Sequence, residues 1–288
     1  VSKFIEGAKE VEVDCVSDGE RVLVGAVIEH VEEAGVHSGD ATMVVPPFSL
    51  SEGVLSKVRE YTLRICRALS ARGPVNIQFV VRGEDVYVIE CNLRASRSMP
   101  FVSKVKGVNL MEYVADVILG GRLEIPGDVY EPPARRWGVK TPQFSWSRLR
   151  GAYPVVDVEM RSTGEVAAVG RTLHDALLKS WLAAQPNRLP EPGSLALVMG
   201  DGALLAERLR RLGLEPLLLD DADNNGLVEA MREGCVGLVV ASGDGDYALR
   251  RAAADYLVPL VLNPRLAALL LEALETYLGG EELTVEPL

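Results

Sequence analysis

Two apolar-rich runs with the period of a β-strand, Val75–Val81 and Val86–Cys91, flank the polar, glycine-containing connection Arg82-Gly83-Glu84-Asp85. Together they predict a β-hairpin. Val86-Tyr87-Val88-Ile89 is apolar at every position, the pattern of a strand buried on both faces. Upstream, Glu10–Val16 alternates acidic and apolar residues, and Arg21–Val31 predicts a second strand. Ser49-Leu50-Ser51-Glu52 has the form of a capping box with Ser49 as N-cap, opening a helix that runs to about Ala71. Val54, Val58, Thr62, Ile65 and Leu69 make its apolar face, and Gly73-Pro74 stops it. Asn109 caps a helix over Leu110–Leu119, Val155–Gly170 reads as strand–turn–strand, and Thr172 opens a helix to Leu182.

The rhythm changes after residues 186–193, where three prolines in eight residues mark a linker. Beyond it, short apolar strands at Leu195–Met199, Pro216–Leu219, Cys235–Ala241 and Pro259–Leu262 alternate with helices at Ala203–Leu212, Gly226–Glu233, Tyr247–Tyr256 and Pro264–Tyr277. That alternation predicts a parallel sheet covered by helices. The expected organisation is therefore an α+β unit with an antiparallel sheet over 1–185, a linker over 186–193, and an α/β parallel-sheet unit over 194–288.

A net charge of −11 argues against a nucleic-acid binder, and no apolar run approaches the roughly 20 residues of a membrane span. Cys15, Cys66, Cys91 and Cys235 lack metal-ligand spacing, which predicts mostly buried thiols in a reducing, cytoplasmic setting. No Ser/His/Asp or Cys/His arrangement recruits His37 as a catalyst.

Candidate chemistry lies in the hairpin. Period-2 alternation puts Gln78 on one face of the first strand and Glu90 with Asn92 on one face of the second, followed at once by Arg94 and Arg97. Hard oxygen ligands beside two guanidinium groups suit a Mg²⁺-bound phosphate. A plain solvated strand face is the competing reading, for the hairpin as for Glu10.

The run E-C-N-L-R-A-S-R-S-M-P-F-V-S-K (90–104) resembles the metal- and phosphate-binding segment of ATP-grasp ligases. Together with Glu10, E-E-A-G-V-H-S-G-D (32–40) and E-M-R-S-T-G-E-V (159–166), it is similar to the second synthetase half of the carbamoyl-phosphate synthase large subunit. The resemblance implies ATP held by the backbone near Lys3 and Ile5, by Glu10 on the ribose, and by Gly35, Val36, His37 and Ser38 along the nucleotide. It implies two Mg²⁺ or Mn²⁺ ions on Gln78, Glu90 and Asn92, with Gln78 and Glu90 also facing the nucleotide phosphates. Arg94, Arg97 and Lys140 would meet the phosphoryl group, carbamate and product phosphate.

Leu93 departs from the proline common at that place. By the same resemblance the chain reads as a fragment, unlikely to act alone, of a large subunit serving arginine or pyrimidine synthesis beside a glutaminase small subunit. Another ATP-grasp carboxylate–amine ligase or carboxylase, or a non-catalytic binding fragment, remains open at this level. Residues 194–288 stand where that family carries a methylglyoxal-synthase-like regulatory domain. With no lysine after Lys179, and Asp220, Asp221 and Asp223 where an anion-friendly loop is expected, the domain reads as degenerate and nucleotide regulation as weak.

Overall fold

Long alternating strands at the start of the chain set up the architecture. A computed structural model describes residues 5–200, 202–219, 225–242 and 245–285; Lys3, the 220–223 acidic run and Gly243 lie outside them. Strands β1 (Lys9–Asp18) and β2 (Val22–Glu33) form an antiparallel ribbon, joined by β3 (Met43–Val45). After helix α1 (Glu52–Ala68) come the hairpin strands β4 (Arg72–Arg82) and β5 (Asp85–Asn92), then helices α2 (Met99–Lys106) and α3 (Leu110–Ile118). Strands β6 (Val129–Tyr130), β7 (Trp137–Gln143) and β8 (Gly164–Gly170) complete a sheet of order β5-β4-β1-β2-β3-β7-β8, with β6 beside β2.

Residue parity on β1 decides what each face of this sheet meets. Odd positions Val11, Val13 and Cys15 pack with Ile77 and Phe79 of β4 under Val54, Val58 and Cys66 of α1. On the even face, the Val16 end is apolar: Val16, Leu23, Ala26 and Ile28 lie beneath Met99, Val102, Leu110, Val114 and Val117 of α2 and α3. The other end of that face carries Glu10, Glu12 and Asp14, and is left to the site.

Helix α4 (Leu173–Ala183) leads to a second sheet, β10-β9-β11-β12, all parallel. Its elements are β9 (Leu195–Met199), α5 (Ala203–Arg211), β10 (Glu215–Leu219), α6 (Asn225–Arg232), β11 (Val236–Ala241), α7 (Tyr247–Asp255), β12 (Leu260–Val261) and α8 (Pro264–Leu278). Ala196, Val198, Leu238 and Val240 face α5 and α8, while Leu197, Met199, Val239 and Ala241 pack with Leu249 and Ala253 of α7.

The two sheets share one core. Val31, Val44 and Val139 of the first sheet, Leu177, Leu178 and Trp181 of α4, and Leu270, Leu271 and Leu274 of α8 belong to one buried cluster. Two buried arginines add polar ties. Arg250 donates to the carbonyls of Pro154, Ser242 and Gly245, and Arg251 to those of Trp146, Leu149 and Ala152.

Several expectations are corrected. The first helix is capped by Ser51, whose hydroxyl accepts the Val54 N–H; Ser49 is held instead by the Glu29 carboxylate and Lys9. The helix ends at Ala68, and its buried stripe is Val54, Val58, Thr62 and Cys66, leaving Leu69 exposed. Strand β5 is not buried: it is the sheet edge, with Tyr87 at 41%, Val88 at 48% and Ile89 at 49% exposure. Residues 155–163 form no strand; only Gly164–Gly170 pairs, with β7. Of the thiols, Cys15 and Cys66 are buried, Cys91 is half-buried and Cys235 is exposed.

Because Trp181 is 2% exposed in the shared core, Trp181→Ala should destabilise the chain by about 3–5 kcal/mol. Urea unfolding followed by circular dichroism checks this; a loss below about 1 kcal/mol would mean the two sheets are stabilised separately.

Candidate functional site

The site sits on the polar end of the even face, where strand register assembles it. Glu12 of β1 stands opposite Gln78 of β4, and Asp14 opposite Asn76. On the other side of β4, Gln78 faces Glu90 of β5 and Asn76 faces Asn92. A bulge after Gln78 absorbs one extra residue of β5, so the Gln78–Glu90 and Asn76–Asn92 pairs keep their common face. Gln78, Glu90 and Asn92 thus lie together at one end of the hairpin. Asn92 Nδ2 donates to Glu90 Oε1 at 2.8 Å.

Beneath them lies a layer of acids that alternation alone leaves indistinguishable from a wet face. Glu10, Glu12 and Asp14 are 6%, 4% and 0% exposed. Burying carboxylates requires donors, and most are present. Asp14 Oδ1 accepts Asn76 Nδ2 at 2.9 Å and the Ser96 hydroxyl at 2.6 Å, and Oδ2 accepts the Ser98 hydroxyl at 2.6 Å. Glu12 Oε1 accepts Asn76 Nδ2 at 2.5 Å. Glu12 Oε2 and His30 Nε2 face each other at 3.5 Å, each buried and without a hydrogen bond. Burial, reinforced by the Glu12 charge, pushes the Asp14 carboxyl up to about 6. Burial also raises Glu10 and Glu32. Glu12 goes the other way: burial opposes its ionisation, but the imidazole of His30 and the amide of Asn76 outweigh it.

The two serines explain the placement of the arginines. Held on Asp14, Ser96 and Ser98 pin the 93–98 segment over the even face, and Ser96 Oγ accepts the Met99 N–H that opens α2. Arg94 and Arg97 project from this segment into a cleft of about 390 Å³, lined also by Glu12, Asn76, Gln78, His37, Ser38, Gly39, Met160 and Glu165. Both arginine side chains are exposed, and Arg97 Nη2 lies 3.5 Å from Met160 Sδ.

The 35–41 loop forms the opposite wall. Gly35 has φ +112, a conformation that favours glycine. At Gly39 an added Cβ would stand 2.7 Å from Met160 Sδ and 2.8 Å from Arg97 Nη2, so these two flexible side-chain ends would have to move to admit it. His37 Nδ1 accepts the Gly39 N–H, and the His37 N–H is bonded to Asp157 O at 2.8 Å. Asp40 accepts the N–H groups of Arg161 and Ser162, which brings the 159–166 segment to the cleft. Lys140, expected beside a phosphate, gives its ammonium to the carbonyls of Ser38, Gly39 and Ala41, at 3.2, 3.4 and 2.6 Å. It is 3% exposed, and burial draws its pKa down. These bonds direct its three protons to the loop backbone.

Of the expected site residues, His37, Ser38, Gln78, Arg94 and Arg97 line the cleft; Glu90 and Asn92 pair with β4 beside it, Glu10 lies farther along β1, and Gly35 and Val36 precede His37 in the loop. Ile5 is half-buried just before β1. Sequence reasoning passed over Glu12, Asp14, Asn76, Ser96 and Ser98. The available signal was parity: the acids at 10, 12 and 14 share the phase of Asn76 and Gln78.

The donors suit a divalent cation. One carboxylate and two amides are hard oxygen ligands, too few for an all-protein cage, and among the described residues no group of three or more His, Cys, Asp or Glu is placed to hold a metal.

Residues 1–125 match the family described as the carbamoyl-phosphate synthase L chain, ATP binding domain. Over 300 aligned residues the chain is 48% identical to the carbamoyl phosphate synthase large chain of Saccharolobus islandicus, covering 99% of this chain and 28% of that one. The chain is a relative of carbamoyl phosphate synthase large chains. Further relatives of that name occur in Hyperthermus butylicus, 47% identical over 95% of this chain, and Pyrococcus furiosus, 46% identical over 96%. The chain spans only 28% and 27% of the length of these two large chains. Among the described residues no helix is long and apolar enough to cross a membrane.

Asp14 provides a test by pH. Its carboxyl titrates near 6 when folded, against 3.8 for an unperturbed group, so the folded protein holds an extra proton between those values. Its contribution to stability then falls as pH rises from about 4 to 6. Asp14→Asn should make the stability–pH slope shallower across that window, leaving the share due to Glu10 and Glu32. Denaturation midpoints at pH 4, 5 and 6 measure it, and an unchanged slope would show that Asp14 ionises as an ordinary carboxylate.

Proposed function

We propose that this chain is the section of a carbamoyl phosphate synthase large chain that uses ATP to phosphorylate carbamate. The observation that carries the reading is the register of β4 and β5, which gathers Gln78, Glu90 and Asn92 at one end of the hairpin, with Gln78 lining the cleft that Arg94 and Arg97 also line. The 1–125 match to an ATP-binding domain supports it.

In this reading Gln78, Glu90 and Asn92 hold two Mg²⁺ or Mn²⁺ ions. When bound, such ions would supply charge neutralisation to the phosphates of ATP. Arg94 and Arg97 orient the transferred phosphoryl group and the carbamate by paired N–H donors, and stabilise charge on the equatorial oxygens. A carbamate oxygen bonds to the γ-phosphorus as its bond to the β-bridging oxygen breaks, giving carbamoyl phosphate and ADP. No side-chain nucleophile is needed; positioning and fixed electrostatics do the work. The 35–38 loop lies along the nucleotide, with Lys140 bracing its backbone, and Glu10 accepts the ribose hydroxyls. Lys3 and Ile5 would supply backbone contacts to the adenine.

The remaining large-chain sequence and a glutaminase small subunit are the proposed partners, in a cytoplasmic enzyme serving arginine or pyrimidine synthesis. The parallel-sheet region 194–288 is proposed as a methylglyoxal-synthase-like domain at the C-terminal end of that large chain, kept for folding or assembly.

In the complete large chain, Glu90→Gln should lower carbamate-dependent ATP turnover about a hundredfold or more. Turnover within a factor of about two of the parent would remove Glu90 from the machinery.

A further inference from the structure

Asn92 can meet a cation only with its amide oxygen, because the amino end of an amide is a donor. Something must therefore choose which end points outward. Asn76, 2% exposed and directly opposite Asn92 across the hairpin, is placed to do so. Its own amide has no choice. Glu12 Oε1 at 2.5 Å and Asp14 Oδ1 at 2.9 Å flank one end, and both offer lone pairs there. Two acceptors draw Nδ2 and repel an oxygen, so Asn76 Oδ1 is turned toward β5.

There it meets Asn92 Nδ2 at 3.5 Å, while Glu90 Oε1 accepts the same amino group at 2.8 Å. Acceptors on both sides hold the amino end of Asn92 between Asn76 and Glu90, which turns its oxygen away from them. We propose that Asn76 is a positioning residue: locked by the buried carboxylates of Glu12 and Asp14, it sets the Asn92 amide with the oxygen presented to the divalent cation. This rests on the cation role of Asn92 given above.

The test is Mn²⁺ binding, read by electron paramagnetic resonance, to the complete large chain with a non-hydrolysable ATP analogue. Asn76→Ala should weaken Mn²⁺ about tenfold, the usual scale for an outer-sphere partner, with metal-free binding of the analogue unchanged. Asn92→Asp removes the need for orientation, because both outer atoms are then oxygens. In that background Asn76→Ala should cost nothing further, a non-additivity that general loosening of the hairpin would not produce. Equal losses from Asn76→Ala in both backgrounds overturn the proposal.

Asn92→Ala separates the proposal from the reading beneath it. Weakened Mn²⁺ in Asn92→Ala but not in Asn76→Ala rejects the positioning role and leaves the cation role standing. Unchanged Mn²⁺ in Asn92→Ala removes both. If Asn76→Ala does not fold, Glu12→Gln in the parent and Asn92→Asp backgrounds reads the same coupling, since a neutral amide at 12 releases Asn76 from its imposed orientation.

Discussion

A single buried carboxylate sets the alignment of this site. Asp14 is fully enclosed, yet its two oxygens are satisfied by one amide and two hydroxyls from segments far away in sequence. Those donors offset the cost of taking a carboxylate out of water. The amide belongs to Asn76 and leads to the Glu90–Asn92 end of the hairpin; the hydroxyls belong to Ser96 and Ser98 and lead to the guanidinium groups. The hairpin amides and the guanidinium groups are thereby indexed to the same atoms. The neighbouring apolar half of the face, roofed by α2 and α3, gives that carboxylate a rigid floor.

The opposite wall is indexed differently. The 35–41 loop has little side-chain bulk of its own, so it is held by partners around it: Lys140 on its carbonyls, and Asp157 O and the Asp40 carboxylate joining it to residues 157–162. The chain before that stretch, at Pro154, is in turn bonded to Arg250 of the parallel-sheet region. A line of hydrogen bonds and covalent backbone therefore joins α7 to the 35–41 wall of the cleft. With the shared core around Trp181, it makes the two sheets mechanically one body.

How much of this the amino-acid sequence discloses depends on which rule each residue obeys. The parallel-sheet elements obey one rule throughout, short apolar strand then amphipathic helix, and their positions are readable to within a residue or two. Gln78, Glu90 and Asn92 are readable because strand parity is strict and the loop between them is short. The acids at 10, 12 and 14 are the hard case: alternation is the same for a face in water and for a face under a catalytic cleft, and only tertiary cover distinguishes them. Val86–Ile89 fails for the mirror-image reason, since apolar residues on both sides of a strand do not say whether neighbours are present to cover them. For Lys140, the carbonyls that its protons find depend on the loop packed over it, which no local pattern discloses.

The free rim of β5 carries a cost that the rest of the sheet avoids. Its outward N–H and C=O groups, flanked by Tyr87, Val88 and Ile89, form an unguarded template for another extended segment. Separated from its natural surroundings and concentrated, this stretch of polypeptide would zip onto copies of itself along that rim. Glu90 and Asn92, proposed above to hold a cation, would then lie inside an accidental seam while every strand remained intact.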